Sequence, residues 1–140
     1  MAGALVDTGA IVAFLDRRDY WHEACVLAFQ EVSYPLITSE AVLTEAFYLL
    51  GPDRNDVEAL WRLMRSGPIL MAPIDDSELP AIHALMDQYW DRPMDFADAT
   101  LVYLARRESL STILTIDRSD FETYRIEGKR KFRILPDPRQ

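Results

Sequence analysis

Apolar positions along the chain fall into short runs separated by longer amphipathic stretches, an alternation that predicts strands between helices. Ala4-Leu5-Val6 stops at Asp7-Thr8-Gly9, and residues 10–15 follow as a short apolar helix. Asp19 is placed to cap a second helix reaching about Val32, and residues 35–38 read as a second strand. Ser39 is an N-cap for a helix through Leu50, closed by Gly51-Pro52. Asn55-Asp56-Val57-Glu58 has capping-box spacing and opens a helix carrying Leu60, Trp61, Leu63 and Met64, which ends at Gly67-Pro68. Residues 69–74 form a strand, and Asp75-Asp76-Ser77-Glu78 opens a helix to about Trp90. After the loop Asp91-Arg92-Pro93, Asp95 caps a helix to about Glu108. Residues 112–116 are β-branched and apolar on both faces, the mark of a central strand, and Arg133-Ile134-Leu135 is the last strand.

Strands separated by helices imply a parallel, doubly wound α/β sheet. Ligands of such sheets bind outside the carboxyl ends of the strands. Asp7 and Asp117 both stand there. No repeat or linker interrupts the 140 residues, which predicts one domain over 1–140.

Four acids end or interrupt apolar segments: Asp7 and Asp117 at strand ends, Glu45 within residues 41–47, and Asp98 within residues 96–101. No Lys or Arg stands three or four positions from Glu45 or Asp98. A carboxylate on an apolar face needs a partner or it neutralises, and a divalent cation supplies the missing charge. Oxygen donors suit Mg²⁺ or Mn²⁺, and two histidines and one cysteine leave few ligands for zinc. Three of these acids also have a plain structural reading, while Glu45 is hard to explain structurally. Asp7 can start a turn and cap the next helix, Asp95 and Asp98 can be a capping pair, and Asp117 and Asp120 can be turn residues.

Composition narrows the classes. Apolar residues make up 49% and charged residues 27%, which argues against disorder. Cys25 is the lone cysteine, so no internal disulfide forms; it sits in an apolar run as an inert thiol and suits a reducing, cytoplasmic setting. Asp7 and Asp16 bracket the first apolar stretch, which lacks a basic leader and is no signal peptide. No run reaches about 18 apolar residues, so no membrane span is expected. The net charge of −8 speaks against a general nucleic-acid binder, although acids gathered at one cation site inflate the count.

In order, Leu5-Val6-Asp7-Thr8, Glu45, Met94-Asp95-Phe96-Ala97-Asp98-Ala99, Leu114-Thr115-Ile116-Asp117-Arg118-Ser119-Asp120-Phe121 and the ending Phe132-Arg133-Ile134-Leu135-Pro136 resemble the PIN-domain ribonucleases, above all the VapC toxins of toxin–antitoxin pairs. The resemblance covers nearly the whole chain. It implies a three-layer α/β/α sandwich with a mainly parallel sheet and an endoribonuclease that uses one or two Mg²⁺ or Mn²⁺ ions, leaving a 5′-phosphate and a 3′-hydroxyl. By motif, Asp7, Glu45, Asp98 and Asp117 match the four metal-holding, catalytic acids. Thr8 matches the hydroxyl residue after the first of them, and Asp95 and Asp120 are secondary. A cognate antitoxin, an RNA substrate and a homodimer are the implied partners. The apolar, aromatic helices bearing Tyr48 and Trp61 carry more surface than one small core needs, which also favours a dimer. His22 reads as structural.

Arg125, Lys129, Arg130, Lys131 and Arg133 are five of the fifteen basic residues and are candidates for RNA phosphate contact, the alternative being charge that guards a sheet edge. Two rival functions follow from the same residues. Asp7-Thr8-Gly9-Ala10 is also the aspartic-protease signature, but here it opens a helix, and five glycines cannot supply that fold's flap. A PIN-like RNA-binding or interaction domain without a toxin role needs a degenerate site, yet all four matching acids are present.

Overall fold

The computed structural model describes residues 2–138. Five three-residue strands, β1 (Ala4–Val6), β2 (Leu36–Thr38), β3 (Ile69–Met71), β4 (Thr112–Leu114) and β5 (Arg133–Leu135), pair in parallel in the order β3-β2-β1-β4-β5. Leu5 faces Ile37 on one side and Ile113 on the other. β1 is therefore the central strand, and none of its residues is exposed, as expected for an apolar run covered on both faces. Each fully buried Leu or Ile in this layer contributes about 2 kcal/mol.

Helices α1 (Thr8–Leu15) and α2 (His22–Glu31) join β1 to β2, and α3 (Glu40–Leu50) and α4 (Arg54–Arg65) join β2 to β3. A 3-10 turn (Asp76–Glu78), α5 (Leu79–Gln88) and α6 (Phe96–Arg107) lead back to β4, and α7 (Arg118–Thr123) joins β4 to β5. Right-handed crossovers, the rule for parallel strands, place α1–α4 on one face and α5–α7 on the other. The result is the expected three-layer sandwich. Chain direction across the sheet reverses between β1 and β4, so the crevice at their carboxyl ends is the topological switch point. Among the described residues no helix is long and apolar enough to cross a membrane.

Several predicted details hold. Ser39 caps α3 by accepting from the Val42 N–H, and Asp95 caps α6 by accepting from the Asp98 N–H. Cys25 is 1% exposed, and burial pushes its thiol up to about 11. The His22 ring nitrogen Nδ1 is 2.7 Å from the Ala13 carbonyl, which is a structural use.

Others differ. α4 starts earlier than the expected capping box, because the Asp53 carboxylate accepts from the N–H groups of Asn55 and Asp56. Asp19 accepts from Trp21 N–H and shapes the turn before α2, which begins at His22 without a side-chain cap. β3 stops pairing at Met71, and Ala72 N–H makes a last bond to Thr38 before Pro73, which has no N–H to give. β4 stops at Leu114, and a bond from Asp117 N–H to the Thr115 hydroxyl curls the chain into α7. The plain alternative for Asp117 and Asp120 is a pair of turn residues in 117–120. They begin a six-residue helix that buries Phe121 completely.

Candidate active site

Asp7 follows β1 directly and is 4% exposed. Its Oδ1 accepts from the Thr8 N–H at 2.8 Å, so the capping reading is correct. Its Oδ2 accepts from the hydroxyl of Thr115, also at 2.8 Å, just past β4, the strand that pairs with β1. The close approach of α1 to this strand end requires Gly9, because a Cβ there would lie 2.6 Å from Ile116 Cγ1. Asp98 stands in the first turn of α6, largely buried, and its Oδ2 accepts from the Tyr124 hydroxyl at 2.9 Å. Asp117, more open, follows β4 across the crevice.

These acids raise one another's pKa. Burial first, then Asp117 and Asp95, push Asp7 up to about 6 against the pull of its two hydrogen bonds. Burial, then Asp7 and Asp95, push Asp98 up to about 8, with Asp120 adding a smaller push and the Tyr124 bond opposing it. Asp117 is raised by partial burial and by Asp120 and Asp95. Asp7, Asp95, Asp98, Asp117 and Asp120 thus form one group of interacting charges. Arg92 donates from Nη2 to Asp120 at 3.1 Å, so Asp120 has a cationic partner within the protein. Asp95, itself exposed, serves as the α6 cap.

Glu45 is placed differently from the expectation. The face of α3 bearing Ala41, Glu45 and Leu49 is open, with Leu49 58% exposed, so Glu45 is solvated and carries no burial cost. It lines a groove of about 690 Å³ with Ala41, Thr44, Met71, Leu79, Asp95 and Phe96, beside the acid group. The Thr8 hydroxyl turns away from the acids toward the Val42 carbonyl, 3.4 Å away, and only its N–H serves Asp7. In the late basic run, the Arg125 guanidinium is spent on the carbonyls of Glu122, Thr123 and Tyr124 at the end of α7. Lys129, Arg130, Lys131 and Arg133 are exposed, the last on edge strand β5.

Sequence reading missed three contributors. Thr115, two residues before Asp117, was hidden in a strand pattern. Tyr124 and Arg92 act on acids 26 and 28 positions away, with no local signal.

The donor set suits a divalent cation. Its groups are carboxylate oxygens, the ligands of hard ions, and burial first, then the neighbouring acids, raises the pKa of Asp7 and Asp98. Among the described residues no three His, Cys, Asp or Glu side chains stand in cation-holding geometry.

The PIN domain family model matches residues 4–127. Ribonuclease VapC26 of Mycobacterium tuberculosis is 30% identical over 134 residues, covering 94% of this chain and 99% of its own. The crystal structure of Mycobacterium tuberculosis VapC20, a sarcin–ricin loop cleaving toxin, superposes with a TM-score of 0.73 at 20% identity, covering 84% of this chain and 93% of that one. PAE2754 from Pyrobaculum aerophilum gives 0.53 at 20% identity, covering 96% and 91%. At that identity the two structures speak for the fold.

Proposed function

The chain belongs to the PIN-domain family, in its VapC branch, and from that premise we propose that it is a Mg²⁺- or Mn²⁺-dependent endoribonuclease hydrolysing RNA phosphodiester bonds, the toxin of a toxin–antitoxin pair acting on translation in the cytoplasm. The observation that carries the reading is the convergence of Asp7, Asp98 and Asp117 at the switch point, where burial and neighbouring acids raise all three pKa values. We assign these three to hold the cation, with Glu45 closing in from the groove wall as the fourth acid and Asp95 and Asp120 in the outer ring.

When bound, the cation acidifies a water molecule and offsets the charge that builds on the phosphate. The protein's own part is positioning. Asp7 is fixed through both oxygens by Thr8 and Thr115, and Asp98 through one by Tyr124. The proton from the attacking water passes to a carboxylate of the group, because neither histidine is available. His22 is bonded to the Ala13 carbonyl, and His83 lies on the exposed side of α5 against Asp87. The groove beside the acids exposes Met71, Leu79 and Phe96 with Glu40, Glu45 and Asp95 around them, a surface that suits an apolar, basic antitoxin segment. The whole chain acts as one nuclease domain in this reading.

The purified protein should cleave RNA with Mg²⁺ or Mn²⁺, leaving 5′-phosphate ends, and lose all cleavage in EDTA. Cleavage undiminished by EDTA refutes the cation role. A protein that binds RNA and never cuts it, with cation present, makes the chain an RNA-binding module.

A further inference from the structure

Tyr124 is 1% exposed at the end of α7, inside an aromatic cluster that phenylalanine would fill equally well. Its ring meets Tyr89 edge-on at 5.1 Å and Phe121 at 5.2 Å, and Phe121 in turn meets Phe132 at 5.5 Å. Tyr89 is itself tied down, its hydroxyl accepting from the Arg125 N–H at 2.9 Å. The Tyr124 ring is thus clamped on two sides, and what distinguishes it from phenylalanine is one oxygen aimed at Asp98 Oδ2. The hydroxyl donates to that oxygen at 2.9 Å. Among the described residues Asp98 Oδ1 accepts no hydrogen bond, while the backbone N–H of Asp98 is bonded to Asp95.

We infer that Tyr124 is a positioning residue: its hydroxyl fixes the Asp98 carboxylate through Oδ2 and leaves Oδ1 to face a divalent cation. The inference rests on the cation reading given above and adds a residue outside the acid group. A free carboxylate loses rotational freedom when it binds an ion. Tyr124 removes that freedom beforehand, from a separate element packed across the C-terminal half of the fold. Partners of this kind, which orient a ligand without touching the ion, are typically worth 10- to 100-fold in metal affinity.

Tyr124→Phe deletes the oxygen and keeps the ring. Phe121→Leu loosens the same cluster and keeps the hydroxyl. Mn²⁺ affinity by titration calorimetry, melting temperature in EDTA, and the Mn²⁺ dependence of RNA cleavage are measured for both and for the wild type. Tyr124→Phe should weaken the Mn²⁺ Kd roughly 10-fold or more, with its melting temperature in EDTA nearly unchanged. Its cleavage rate should recover at saturating Mn²⁺, which a structural lesion would not allow. Phe121→Leu should melt lower with a Kd close to wild type. An unaltered Kd in Tyr124→Phe overturns the inference, and so does equal weakening in Phe121→Leu, which would make packing the cause. A wild-type protein that binds no Mn²⁺ overturns the cation reading itself, and this inference with it, before any variant is compared.

Discussion

Asp7→Asn should make the cation-free protein more stable at neutral pH although it removes a proposed catalytic group. Asp7 titrates near 3.8 when unfolded and is raised to about 6 in the fold. A raised folded pKa means that the native state holds the proton more tightly. The stability this gives is complete below the unfolded value and is lost as pH rises through the folded one. At about 1.36 kcal/mol per unit, the wild type forfeits about 3 kcal/mol between pH 4 and a little above pH 6. Asparagine does not titrate and forfeits nothing. Its Oδ1 can keep the Thr8 N–H, but its amide nitrogen meets the Thr115 hydroxyl, which already accepts from the Asp117 N–H. Rearranging that hydroxyl costs about 1 kcal/mol. The net gain is about 2 kcal/mol, or on the order of 6 °C in melting temperature for a chain of this size. Thermal melts of both proteins in EDTA from pH 4 to pH 8 test this. The difference should be near zero or slightly negative at pH 4 and grow to its full value by pH 7. Mn²⁺ should then raise the wild type and leave the variant where it was. A difference that ignores pH, or a wild type that is the more stable at pH 7 in EDTA, would refute the reasoning.

Two further outcomes follow from surfaces away from the acids. Changing Lys129 and Lys131 to Ala should reduce the log–log salt slope of RNA binding by roughly 0.7 to 0.9 for each phosphate that is no longer neutralised, with cation affinity unchanged; aggregation with the slope intact would assign these residues to guarding the β5 edge instead. Sedimentation at micromolar concentration should show a dimer that Trp61→Ala weakens, since Trp61 is 50% exposed and Tyr48 on the neighbouring helix 82%; a wild-type monomer counts against the dimer.

Much of the site was legible from the sequence because strand ends and helix caps are local signals. Asp7 ends an apolar triplet, Asp117 follows a β-branched run, and Asp95 stands three residues before Asp98, so each position follows from chemistry within a few residues. The exposure of Glu45 was not foreseen, for a physical reason. Its neighbours on α3 are apolar, yet Leu49 and Tyr48 face solvent, and an apolar side chain does not say whether it faces the core or the outside. Tyr124 and Arg92 were invisible because their partners lie on other elements, and hydrogen bonds between elements leave no periodicity. The Asp53 cap was missed because two adjacent stretches offered acceptable capping residues, and only backbone geometry decides between them.

The strand order also fixes when the site can come into being. Leu5 pairs with Ile113, a separation of 113 − 5 = 108 residues, so the middle of the sheet is closed by chain made long after β1. Until β4 has left the ribosome, Asp7 has neither its Thr115 partner nor Asp117 opposite it, and Asp98 waits longer still for Tyr124. An amino-terminal fragment that ends before β4 holds Asp7 and Asp98 but lacks Thr115, Asp117 and Tyr124. A chain stalled there lacks the completed acid group, and competence waits until β4 and then α7 dock.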